Sequence, residues 1–186
     1  MADMIPGTVL KYPEGKTKDA FSVIAPVLSA TGGLTLRQVC DMTGLKASTV
    51  QNWVKRGWVA SPKGKRYEER QLMRILLINL MREAMQLERI ISLMTYINGS
   101  VEDTVDDIIP DRQLYSFLCE ILYKIEQVSI FDDVGVKDIV EKVISDYKCS
   151  SEDEADKLKR TLIIMTWASI AVEYRHKSSQ EFLLIK

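Results

Sequence analysis

With 186 residues, 46% of them hydrophobic, and a net charge of −1, the chain has room for one domain or two small ones and is too apolar for wholesale disorder. Its charge is unevenly spread: residues 34–90 carry eleven Lys/Arg against five Asp/Glu, whereas residues 100–158 carry six against sixteen. A basic half joined to an acidic half implies two different jobs, and three scattered cysteines (Cys40, Cys119 and Cys149) exclude a disulfide framework and fit a reducing cytoplasm.

Residues 1–17 contain Pro6, Gly7, Pro13 and Gly15 and read as an extended arm. Apolar Phe21, Val23, Ile24, Val27 and Leu28 predict a short helix over residues 19–30, bent or started by Pro26. Gly32 and Gly33 then break the chain. Residues 35–57, TLRQVCDMTGLKASTVQNWVKRG, have the spacing of a helix-turn-helix, with helices over 36–43 and 47–55 and an elbow at Gly44-Leu45. Glycine tolerates the positive φ that a tight elbow demands, and Cys40 supplies a small side chain four residues earlier. Val39, Leu45, Val50 and Trp53 form the apolar set that would glue the pair to a third helix. Lys46, Ser48, Thr49, Gln51, Asn52 and Lys55 remain off that buried face.

The stretch GWVASPKGKRY, punctuated by Pro62 and Gly64, predicts a turn or short hairpin. From Glu68 a helical pattern resumes and runs to a C-cap at Asn98-Gly99; it fits one long helix or two that bend near Ala84. Arg70, Arg74 and Arg82 extend the basic surface on this reading. In the acidic half, helices are predicted over 101–109 (stopped by Pro110), 111–127 (capped by Asp111), 136–147, and from a Ser151/Glu154 capping box to about His176. Outside the wing no strand is predicted.

Three features favour nucleic acid over a plain helical hairpin. The second helix lacks an acid, the turn after it carries Lys63, Lys65 and Arg66, and Gln and Asn side chains can pair with base edges while Ser, Thr and Lys meet phosphates. The segment LTLRQVCDMTGLKASTVQNWVKRGWV followed by KRYEERQLMRILLINLMREAMQLERIISL resembles the DNA-binding domain of MerR-type regulators, over about residues 34–95. That resemblance implies a winged helix-turn-helix in which Lys46, Ser48, Thr49, Gln51, Asn52, Lys55 and the adjoining Arg56 face the major groove. It also implies that Lys65, Arg66 and Tyr67 lie in the wing against the backbone. Trp53 stands where that family often has Tyr, and its usual glycine is absent before Met85. The long dimerisation helix of the family does not follow directly. As a whole the chain is similar to an uncharacterised bacterial family that joins such a head to an all-helical tail.

The tail offers a stripe at Leu158, Leu162, Met165, Ser169 and Val172 that fits either core or a dimer seam. Its aromatics Tyr115, Phe117, Tyr123, Trp167 and Tyr174 fit either core or an effector pocket. No catalytic constellation, metal site or cofactor site is expected. His176 is the lone histidine and reads as an exposed cation near a helix end, while Asp106-Asp107 and Asp132-Asp133 are adjacent pairs that point apart. The N-terminal residues lack a signal-peptide pattern, and the longest near-apolar run, residues 162–172, is too short to span a bilayer.

The expectation is therefore an all-α protein with a small hairpin wing. It has an arm (residues 1–17), a helix-turn-helix domain (18–98) and an acidic helical domain for dimerisation, effector binding or both (99–186). It would act in the cytoplasm on double-stranded DNA as a homodimeric transcriptional regulator, with no membrane partner. The competing expectation is a protein-interaction adaptor whose basic head docks on an acidic surface.

Overall fold

The computed structural model describes residues 4–128 and 132–185. Its elements are α1 (Ala20–Thr31), β1 (Leu34–Thr35), α2 (Leu36–Thr43), α3 (Ala47–Lys55), β2 (Arg66–Tyr67), α4 (Glu69–Met81), α5 (Leu87–Asn98), α6 (Asp111–Val128), α7 (Asp133–Ile144) and α8 (Glu152–Phe182). The protein is mostly helical, with one small antiparallel pairing of β1 and β2 in which Leu34 faces Tyr67 and Thr35 faces Arg66. The all-α expectation holds. The predicted wing gains a partner strand in β1, whose two residues are too few to leave a periodicity in the sequence.

Helix α4 organises the molecule. Nine of its residues are buried, Gln71 to Ile78 without interruption and then Met81. A helix that is apolar on every side must be enclosed on every side, and α4 is: α2, β2 and α5 lie against it from the head, α6 and α8 from the tail. Helix α1 packs on α6 in turn, and α6, α7 and α8 pack on one another. One continuous core runs through residues of both the basic and the acidic halves.

Between α4 and α5 no glycine or proline marks the break. The amides of Ala84 and Met85 both bond back to Met81 O (2.9 and 3.0 Å), and Gln86 is extended (ψ 139°). The chain thus folds α5 back beside α4, so that two apolar faces close on one core and the two-helix alternative is the one adopted.

The predicted helix over residues 101–109 does not form. This segment is a loop, pinned by Asn98, whose Nδ2 donates to Ile109 O (2.6 Å) while its Oδ1 accepts from the Ile109 amide (3.2 Å). The Asp103 carboxylate takes the Val105 amide (2.9 Å), and such side-chain competition for backbone donors opposes helix formation. At the last helix Ser151 caps as expected, accepting from the Glu154 amide (3.2 Å). The helix then continues past His176 to Phe182.

Residues 4–18 contain no helix but lie on the core rather than apart from it. Ile5 and Tyr12 are buried. Asn79 Nδ2 donates both to Gly7 O (2.9 Å) and to Thr43 O (3.0 Å), and the Tyr115 hydroxyl donates to Pro6 O (2.8 Å). Gly7 is obligatory here, because a Cβ would sit 2.6 Å from Leu76 O.

Candidate nucleic-acid interface

The helix-turn-helix is built from local signals that agree. Thr35 and Gln38 form a capping box at the start of α2: the Gln38 amide donates to Thr35 Oγ1 (3.3 Å), and Gln38 Oε1 accepts from the Thr35 amide (2.9 Å). Gly44 ends α2 at φ 71°, its amide bonded to Cys40 O (2.8 Å). A Cβ at Gly44 would meet Val9 Cγ1 at 2.8 Å, so the N-terminal strap covers the elbow. Val39, Leu45, Val50 and Trp53 are all buried and fix the outward face of α3.

That outward face holds the predicted readers. Lys46, Ser48, Gln51, Asn52, Lys55 and Arg56 are exposed and Thr49 is half-buried. Lys46 occupies the N-cap of α3 without a side-chain hydrogen bond, so no acceptor from the cap side chain occupies the first amides of the helix. Arg56 is held 4.9 Å from the centroid of the Trp58 ring. The turn at residues 63–66 is tight: Gly64 (φ 54°) and Lys65 (φ 63°) both adopt left-handed backbone, and the Arg66 amide bonds to Lys63 O (2.9 Å). Lys65 therefore projects at a tip. Gln51 and Val54 of α3 line, with Pro62 and Lys65 of the wing, one open cleft of about 390 Å³, so helix and wing border the same groove. From Met42 to Tyr67 the sequence contains six Lys/Arg and no Asp or Glu.

Several predicted residues are placed differently. Tyr67 is buried (3% exposed) and anchors the wing to the core instead of facing solvent; burial also raises its pKa. Arg66 is exposed, yet its Nη1 donates to Gly33 O (2.9 Å), so part of its hydrogen-bonding capacity holds the β1–β2 pairing together. The arginines of α4 do not extend the basic surface. Arg74 is 3% exposed, donates from Nε to Trp58 O (2.8 Å) and lies 3.5 Å from Asp111. Arg70 lies 3.7 Å from Asp107. Only Arg82 is exposed, bonded to Asn79 Oδ1 (2.6 Å).

These Arg–Asp pairs join head to tail. Burial pushes the carboxyl of Asp111 above its ordinary range despite the opposing pull of Arg74 and Arg70 and a hydrogen bond from Asn98. Burial does the same to Asp107 against Arg70. The α4 helix is central, so its arginines find partners inside: Asp107 of the acidic loop for Arg70 and Asp111 at the start of α6 for Arg74.

Burial also bears on the tail. Leu158, Leu162, Met165 and Ser169 are core, and Val172 is half-buried. Tyr115 is fully buried, Phe117 packs edge-on against Tyr147 (5.6 Å between centroids), and Tyr174 is half exposed, so these aromatics are dispersed. His176 is not at a helix end; its Nε2 lies 2.8 Å from Glu83, which also pairs with Arg175.

Residues 27–118 match a domain of unknown function (DUF1836). The chain is also similar to an uncharacterized protein, YkrK, of Bacillus subtilis (strain 168): 26% identical over 122 residues, which cover 63% of this chain and 50% of that protein. The match thus spans half the length of that relative. Both similarities fit an uncharacterised bacterial family. No solved structure matches. The matched segment ends inside α6, so it contains α3, the wing and both Arg–Asp pairs. Among the described residues, no helix is long and apolar enough to cross a membrane.

Proposed function

We infer that the chain is a sequence-specific double-stranded DNA-binding regulator of transcription, working in the cytoplasm as a homodimer with a MerR-like head. The observation that carries this reading is the groove bordered by Gln51 and Lys65, set in an acid-free stretch whose cations are exposed. Helix α3 enters the major groove, where Gln51 and Asn52 read base edges. Lys46, Ser48, Thr49, Lys55 and Arg56 flank them. The open first turn of α3 offers amides to a phosphate, and Lys65 at the wing tip neutralises another. Arg66 braces the wing from behind.

Selection of bound sequences from a random duplex pool at low salt tests the reading. The expected result is an enriched motif with two-fold symmetry, because site symmetry mirrors protein symmetry. Recovery of an unenriched pool, or no retained DNA at all, overturns it.

A further inference from the structure

The core stripe of α8 leaves the opposite side of the same helix exposed. There Ile164, Trp167, Ala171, Tyr174 and Ser178 follow one another at spacings of three and four, and Phe182 continues the row. Ile164 is 41% exposed, Tyr174 49% and Phe182 71%; Ala171 and Ser178 are exposed and Trp167 is half-buried. At 3.6 residues per turn this row points away from Leu158, Leu162, Met165 and Ser169. A sustained alternation of three and four is the pattern with which one helix buries a stripe against another. The core reaches this outer row at Trp167, which is half-buried against it, while Ile164, Tyr174 and Phe182 keep large exposed surfaces.

We propose that this outer stripe of α8 is the homodimer seam, and that it takes the α8 of a second copy running antiparallel. Side-chain size sets the partner and the direction. Large and small residues alternate along the row: Trp167, Ala171, Tyr174, Ser178. An antiparallel copy centred between Val172 and Glu173 sets Trp167 against the partner's Ser178 and Ala171 against the partner's Tyr174. Each bulky ring then meets a small residue, as close packing requires. The same register brings Ile164 within one residue of facing the partner's Phe182 and leaves Arg160 about 6 Å along the axis from the partner's Glu181, an opposite charge. A parallel copy would oppose Trp167 to the partner's Trp167 and Ala171 to the partner's Ala171, leaving a clash beside a gap. The contact is isologous, so it closes at two copies. Aromatic side chains bury ~150–250 Å² each when fully covered, so three partly exposed rings with their aliphatic neighbours reach several hundred Å² per copy, roughly half of the ~800 Å² a standard interface uses.

This seam gives the homodimer of the preceding reading a location; its use on a two-fold DNA site rests on that reading, whereas the seam itself does not. Sedimentation of the full chain without DNA, across micromolar concentrations, should give twice the 21.2 kDa chain mass. Ala171→Arg and Phe182→Glu, both at exposed helical positions, should each weaken the dimer at least a hundredfold while leaving the thermal unfolding profile of the monomer cooperative. A monomeric wild type, or variants that dimerise undiminished, overturns the proposal. In the antiparallel register two copies of residue 178 lie roughly 16 Å apart along the axis, beyond the reach of a disulfide. Prompt cross-linking of Ser178→Cys relative to the wild-type chain therefore overturns the antiparallel arrangement. Because the mass is read without DNA, a chain that dimerises yet selects no sequence supports the seam and removes the DNA reading.

Discussion

The cations of residues 46–66 and the arginines of α4 are neighbours in sequence, yet they are put to opposite uses. Lys46, Lys55, Arg56 and Lys65 stand in solvent, and no Asp or Glu lies between Met42 and Tyr67. Arg70 and Arg74, a few residues later, are paired with Asp107 and Asp111 of the acidic half. The same charge is left in solvent in one place, where the proposed function uses it for recognition, and serves assembly in the other, and the difference is burial. A cation on a one-sided helix such as α3 is free to meet a ligand; one on an enclosed helix such as α4 must be neutralised inside.

That contrast can be broken from either side. The largest effect belongs to Arg74. Arg74→Ala leaves Asp111 buried without its counter-charge and should cost about 3–5 kcal/mol of stability, measured by chemical denaturation, whereas Arg74→Met combined with Asp111→Leu should recover most of it. Neither change touches α3, so any DNA affinity per folded molecule should survive. Next come the readers: Gln51→Ala or Asn52→Ala should leave stability unchanged and relax preference at one or two base pairs by about 1–3 kcal/mol, seen by repeating sequence selection.

The burial of Asp111 also sets a pH dependence. The carboxyl of Asp111 is raised in the folded state, so the fold binds its proton more tightly than the unfolded chain does. Its contribution to stability is fully present below the unfolded carboxylate value of ~3.9 and is lost as pH rises through the folded value. The stability of the wild type relative to Asp111→Asn should therefore fall as pH rises through that window; a difference that is flat with pH would remove Asp111 from the account. Smallest is Lys65→Ala, which should weaken all sequences alike and reduce the slope of log K against log salt by about one phosphate, ~0.9, in a salt titration.

Much of the head was legible because its signals are local. The elbow glycine and the apolar spacing gave α2 and α3 their observed limits. The capping box at Thr35 and Gln38 was there to be read as a Thr-x-x-Gln spacing. Tyr67 could have been assigned inward from the two-residue alternation with exposed Arg66. The fate of Arg70 and Arg74 depends on packing, yet the continuous apolar run from Leu72 to Ile78, broken only by Arg74, carried the sign that α4 is enclosed. The loop at residues 101–110 was unreadable for a different reason: its conformation answers to Asn98 and Arg70, neither of which belongs to it. The groove itself, where Gln51 meets Lys65, depends on the left-handed turn at Gly64 and Lys65, which composition hinted at but did not place.

The N-terminal strap has a consequence in time. Pro6 accepts from Tyr115, and Lys16 pairs with Glu126, partners more than a hundred residues away. During synthesis residues 6–16 are made well before α6 exists, and these two contacts can form only after it has been made. The helix-turn-helix can therefore take up its helices early, and Val9, whose amide bonds to Met42 O, can cover Gly44 with it, but the anchors at Pro6 and Lys16 wait for α6. In this protein residues 6–16 complete their contacts only when a segment a hundred residues downstream has been made.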